Sequence, residues 1–166
     1  MRAFAVYPWH ASSVAVLDKN LENRTWRAPF AHGEWVAVHA GVRGLTPVDL
    51  TAWIADLAGA GWAVTVLGEG VVAVERHGMR YVYEDRKAVR GAVVALAQYA
   101  GQAMGGVVPW GRPECWRWQL HHRMAIARPV TVRGQQGVWR LPRAAIDRLR
   151  GQVPDVVLAR ADRETT

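Results

Sequence analysis

Residues 8–17 read Pro8-Trp9-His10-Ala11-Ser12-Ser13-Val14-Ala15-Val16-Leu17, and Asp18-Lys19-Asn20-Leu21-Glu22-Asn23-Arg24-Thr25-Trp26 follow directly. After Arg27–Gly33 comes Glu34-Trp35-Val36-Ala37-Val38-His39-Ala40-Gly41. Pro8 suits the first turn of a helix, and Val14, Leu17 and Leu21 recur at helical spacing, so a helix to about Lys19 is expected. It delivers Lys19 to its C-terminal end, where the dipole favours a cation. Leu21–Gly33 reads as a loop whose first part is extended. Alternation there puts Glu22, Arg24 and Trp26 on one face. Glu34–His39 alternates as a buried strand. A Lys–Glu–Arg cluster beside Trp forms either a small polar pocket with an aromatic wall or a surface ion-pair cluster, the second being energetically worth little.

Outward from this stretch the chain is mostly strand. Phe4–Tyr7 precedes it as a short strand. Thr46-Pro47-Val48-Asp49 is a helix start, with Thr46 as cap, Pro47 at the first helical position and an acid three residues after the cap. Leu50, Trp53, Ile54, Leu57 and Ala58 mark its apolar face. Trp62–Leu67, Val71–Arg76 and Met79–Tyr83 form a meander with turns at Gly68-Glu69-Gly70 and His77-Gly78. Further strands are expected at Gly91–Tyr99, Cys115–Met124, Val130–Val132 and Val138–Leu141. Residues 100–113 read as the longest loop, Pro142–Arg150 as a short helix, and residues 155–166 as a frayed polar tail. The fold class is therefore α+β, with many short strands and few helices, which favours a small barrel over a doubly wound sheet.

The quoted stretch resembles the ASCH domain of the PUA-like superfamily, whose mark is Gly-x-Lys-x-x-Glu-x-Arg between a Pro-Trp and a strand ending His-Ala. Lys19, Glu22 and Arg24 match the mark, and Pro8-Trp9, Asn23, Trp26 and His39-Ala40 match its flanks; Leu17 stands where the family has Gly. Arg90–Ala95, Cys115–Leu120 and Gly134–Trp139 resemble later strands of the family. The resemblance covers the front and back thirds, leaving residues 45–89 as an elaboration within a single domain spanning 1–154. It implies a PUA-like barrel of five or six main strands with helices at its mouth, plus the inserted helix and β-meander. It also implies a cleft, lined by the Lys-x-x-Glu-x-Arg segment, that faces RNA or a modified nucleobase.

The expected base-binding residues are Trp9, Lys19, Glu22, Asn23, Arg24, Trp26, His39 and Trp116. Glu22 would accept from an exocyclic amine, Asn23 would pair with a base edge, and Trp9, Trp26 or Trp116 would stack, with Trp26 and Trp116 favoured as cleft residues and Trp35, Trp53 and Trp62 as core. The competing reading is an enzyme. Small ASCH proteins include amidohydrolases that deacetylate N4-acetylcytidine, which implies a Lys and a Thr three residues on, acting with a distant Glu. Here Lys19 matches and Glu22 replaces the Thr, leaving Lys19 and Glu22 as a catalytic pair in which the carboxylate positions water. A third reading is a protein-interaction domain built on exposed Trp.

Composition bears on the partner. The chain has 166 residues, nine Trp, and 21 basic against 14 acidic residues, a formal net charge of +7. Nineteen of the basic residues are Arg. Residues 110–166 hold eleven Arg and five acids, net +6, while residues 1–109 are nearly neutral. Arg forks phosphate and stacks on π faces, so Arg112, Arg117, Arg123 and Arg133 are expected to form a phosphate-holding rim. The expected partner is RNA or single-stranded nucleic acid, with DNA as an alternative.

Other classes fall away. Cys115 is the sole cysteine, which excludes an intrachain disulfide and a Cys-rich zinc site. The six His lack metal-binding spacing, so neither metal nor cofactor is expected. Gly68-Glu69-Gly70-Val71-Val72-Ala73 formally fits a dinucleotide fingerprint, but a strand follows it where a helix is required. Serine occurs only at Ser12 and Ser13, against a serine hydrolase. No apolar run reaches the roughly 18 residues that span a bilayer, and the first residues make a poor signal peptide, so no membrane partner and a cytoplasmic location are expected.

Overall fold

A computed structural model describes residues 1–106 and 108–162. Strands β1 (Arg2–Val6) and β3 (Trp35–Ala40) pair in parallel, with Phe4 opposite Val38. Parallel neighbours need a crossover of a dozen or more residues. Helix α1 (Pro8–Val16) and strand β2 (Leu21–Arg24) supply it. The quoted sequence is thus the connection that the parallel pairing demands. Helix α1 ends earlier than its periodicity predicted, since Asp18 takes a left-handed φ of 59°.

The main sheet has six strands in the order β2-β8-β7-β3-β1-β9, where β7 is Ala92–Ala103, β8 is Trp116–Thr131 and β9 is Val138–Arg140. It curls into a half-barrel. The β7–β8 ladder carries three register shifts, and bulges of this kind bend a strand and increase its twist. Three expectations are corrected here. Leu21–Arg24 is a strand rather than loop, because it finds the free edge of β8. Cys115–Met124 and Val130–Val132 are one strand, interrupted by a bulge that contains Pro129, where no ladder donor is required. Strand β7 runs on to Ala103, shortening the expected 100–113 loop.

Residues 45–89 form helix α2 (Pro47–Gly59) and a second sheet of β4 (Ala63–Gly68), β5 (Val71–Arg76) and β6 (Met79–Glu84) in that order. Thr46 and Asp49 make the expected capping box. The β5–β6 turn has φ of 51° at His77 and 77° at Gly78, the two positive values of a type I′ hairpin. This unit is continuous with the rest. Trp9, Leu17 and Leu21 share one apolar cluster with Trp53, Leu57, Trp62, Val72 and Trp110. Each such side chain contributes about 1.5–3 kcal/mol when fully buried.

On the opposite side, α3 (Arg143–Leu149) and α4 (Asp155–Asp162) cover the sheet. The segment expected as a frayed tail begins with α4, which buries Val157 and Leu158 in the cluster of Ile146, Leu149 and Trp139. Residues 163–166 lie outside the described residues. Among the described residues no helix is long and apolar enough to cross a membrane.

Candidate functional site

A cleft of about 540 Å³ opens at the carboxyl ends of β1 and β3, between β2 and α2. That volume falls in the range of about 300–1,000 Å³ common for small-molecule sites. Its floor is Lys19 and Glu22. Its walls include His10, Arg24, Asp56 and Arg112, and Tyr7 and Arg43 stand at the mouth.

Lys19 is fully buried. Its Nζ donates to the Leu21 carbonyl, lies 3.9 Å from Glu22 Oε2 and stands 5.6 Å from the centroid of the Trp110 ring. Burial pushes the ammonium down from its ordinary value, and Glu22 and Asp56 oppose that. Trp110 reaches this place at a φ of 63°, a strained conformation for a bulky residue. Asn23 holds it there: Asn23 Nδ2 donates to the Trp110 carbonyl at 2.8 Å, and Asn23 Oδ1 accepts from the Arg112 amide at 3.0 Å. Asn23 lines the cleft, yet its amide is spent on securing the 110–112 loop and not left for a base edge.

Glu22 and Arg24 share a face of β2, as alternation predicted. Arg24 Nε lies 3.0 Å from Glu22 Oε1, but the N–H is not aligned for a hydrogen bond, so the contact is an ion pair only. Arg24 Nη2 donates to the Ala5 carbonyl at 2.6 Å. On the far wall, Arg112 lies 3.9 Å from Asp56 of α2. Asp56 is pushed up from its ordinary value by burial, against the pull of Arg112 and Lys19. His10 is held well below 6.5, first by burial and then by Lys19, Arg112 and Arg24. It is therefore neutral at pH 7, and its Nδ1 is buried with no hydrogen-bond partner. The cleft offers cationic donors beside two carboxylates and one neutral imidazole, a surface of mixed donors and acceptors.

Of the expected site residues, the structure brings Lys19, Glu22, Asn23, Arg24 and Arg112 together. Trp9 is 1% exposed and lies under Tyr7, the two rings stacked 4.6 Å apart at 16°. Trp26 and Trp116 do not line the cleft. Strand β2 ends at Arg24, and Trp26 turns edge-on against the buried Trp118 at 4.8 Å, breaking the expected alternation. The guanidinium of Arg27 covers Trp116 at 4.4 Å. His39 belongs to a neighbouring cleft. The rim is dispersed as well. Arg117 is buried and donates to the Gly106 carbonyl, and Arg123 is paired with Asp18. Arg133 is exposed beside His39.

Sequence reasoning missed Tyr7, His10, Arg43, Asp56 and Cys115, which also line the cleft. His10 sat inside the quoted motif and carried a signal. Asp56 carried none, since only the packing of α2 against α1 brings it near Lys19. Arg43 stacks over Tyr7 at 4.8 Å and bridges Tyr7 Oη and Asp49. No family model matches the chain, and no match is found among curated proteins.

Proposed function

We propose that the protein binds nucleic acid and holds one base of an RNA chain, or a modified nucleobase, in the Lys19–Glu22 cleft. One observation carries this reading: a single concave site gathers donors (Lys19, Arg24, Arg112) and acceptors (Glu22, Asp56, neutral His10) within the volume of a small ligand. A base edge presents the same mixture. At the mouth Arg43 lies over the Tyr7 ring, which is itself backed by Trp9, so the outer plane of this stack is the Arg43 guanidinium, a face on which a base can stack. The likeness of residues 8–40 to the ASCH mark supports the same reading and, with the curled sheet, a PUA-like fold. The net charge of +7 favours a polyanion. Trp fluorescence tests it, since Trp9 stacks under Tyr7 and Trp110 packs behind Lys19: short single-stranded RNA at low salt quenches the signal, and salt weakens the effect. Absence of quenching by any RNA or DNA overturns it.

A second reading is favoured by the Lys19–Glu22 pair. A buried lysine with a lowered proton affinity beside a carboxylate is a common catalytic arrangement. In that reading Glu22 takes a proton from water, the hydroxide adds to the acetyl carbonyl of N4-acetylcytidine, and the protonated Glu22 returns the proton to N4 as the C–N bond breaks, giving cytidine and acetic acid, which ionises to acetate. Acetate release that Glu22→Gln abolishes supports it; no turnover by the intact protein removes it for this substrate.

A further inference from the structure

A second cleft, of about 520 Å³, lies beside the first, and Ala5, Gly41 and Val42 line both. The ridge between them is thin. Ala5 belongs to β1 and is held from below by Arg24, while Gly41 follows β3 with its amide on the Val6 carbonyl at 2.7 Å. Val42 stands on this ridge 76% exposed.

The second cleft has a different chemistry. It is walled by His39, by three glycines and by the β8–β9 loop with Arg133 and Gln135, and no carboxylate lines it. His39 is 1% exposed. Its Nε2 donates to the Val132 carbonyl at 2.9 Å, leaving a buried Nδ1 without a partner. Gly134 is required here, because a Cβ would come within 2.6 Å of the His39 ring. Of the four arginines expected at a phosphate rim, Arg112, Arg117 and Arg123 meet protein acceptors. Arg133 meets none among the described residues.

We infer that the two clefts form one bipartite site: the first takes a base, and the second takes the phosphate-linked neighbour, with its phosphate on Arg133. This rests on the function proposed above and deepens it. The ligand is then a phosphodiester-linked stretch that crosses the Val42 ridge, not a free nucleoside. An acid-free pocket with an unpaired exposed guanidinium suits a phosphate, whereas in the first cleft Lys19 and Arg24 are already paired with Glu22, and Arg112 with Asp56.

The test is titration, by Trp fluorescence and calorimetry, with the four ribonucleosides, their monophosphates and the dinucleoside monophosphates. A dinucleoside monophosphate is expected to bind at least about tenfold more tightly than its nucleoside, the gain of one charge-assisted phosphate contact. Arg133→Gln is expected to remove most of that ratio and to lower the salt slope by about 0.7 for a single strand. Arg133 is exposed on a loop, so the variant keeps its fold, and Arg133→Lys should restore part of the ratio. Equal affinity for nucleoside and dinucleotide, or a ratio unchanged by Arg133→Gln, overturns the bipartite site while the first cleft stands. Binding of neither ligand overturns both.

Discussion

The indole Nε1 of Trp53 donates a 2.9 Å hydrogen bond to Ser13 Oγ, and Ser13 Oγ donates in turn to the Trp9 carbonyl at 2.8 Å. All three residues are buried. This relay ties α2 to α1 and so sets the distance between Asp56 and Lys19 across the cleft. Ser13→Ala strands the indole N–H and should cost about 1–3 kcal/mol in urea unfolding. Trp53→Phe removes the same donor. The double variant should therefore cost less than the sum of the two, and strict additivity would show that the bond contributes nothing.

Lys19 and Glu22 are both buried, and removing one partner from such a pair leaves an uncompensated charge. Glu22→Gln should destabilise the fold by about 3–5 kcal/mol. Lys19→Met should cost less, because Glu22 keeps Arg24 and the burial penalty on the ammonium vanishes. Denaturant midpoints check the order; a larger loss for Lys19→Met would mean that Glu22 is not what holds Lys19.

His10 gives a pH dependence. Its folded proton affinity lies well below the ordinary 6.5, so between that lowered value and 6.5 the unfolded chain binds more protons than the folded one. Stability is therefore full above about pH 6.5 and is lost as pH falls toward the folded value. The groups facing His10 are the cations Lys19, Arg112 and Arg24, which act in the same direction as burial. His10→Gln should flatten the decline between pH 6.5 and 5.5 in thermal unfolding. A variant with the same slope as the parent would remove His10 as its source.

Ligand stacking distinguishes Tyr7 from the tryptophans that the sequence favoured. Under the proposed function, Tyr7→Ala removes the ring on which Arg43 rests and should weaken nucleotide binding by about 1–3 kcal/mol, the usual worth of a stacked base. Trp26→Ala should weaken it less, because Trp26 packs on Trp118 outside the cleft. The reverse order would place the base on the Trp26 side.

Gly134 and His39 form a steric pair. Gly134→Ala puts a methyl 2.6 Å from His39 Cε1 and 2.9 Å from Nδ1, so overpacking of about 1–3 kcal/mol is expected. His39→Ala in the same chain should relieve that part of the loss. Thermal unfolding of the two single variants and the double variant measures it, and a double variant no better than the additive sum would dismiss the contact.

Local signals in the sequence were strong where one element suffices. The Thr46 capping box, the His77-Gly78 hairpin and the three-strand meander follow from short-range chemistry and are found where expected. The joint placement of Lys19, Glu22 and Arg24 is legible for the same reason, since the three lie within Lys19–Arg24; Lys19, however, follows the left-handed Asp18 beyond α1, which ends at Val16, and is not in the expected last turn of the helix. Trp26 was misplaced because alternation holds only while a strand lasts, and pairing with β8, not the local sequence, sets where β2 stops. The tail was misread because Val157 and Leu158 are too few to announce a helix before a partner surface is known.

The sequence by itself determined most of the element types, with β2 and α4 the exceptions, together with the α+β class, the basic charge and the polar nucleus of the cleft. These depend on periodicity, caps and spacing within a few residues. Only the tertiary structure decided which aromatic ring faces the cleft, that Asp56 and Arg112 close its far wall, that Asn23 is spent on a loop, and that His39 and Arg133 form a second chamber. The last three join residues from 37 (Lys19 and Asp56) to 94 (His39 and Arg133) positions apart, and contacts at that range follow from how sheet and helices pack.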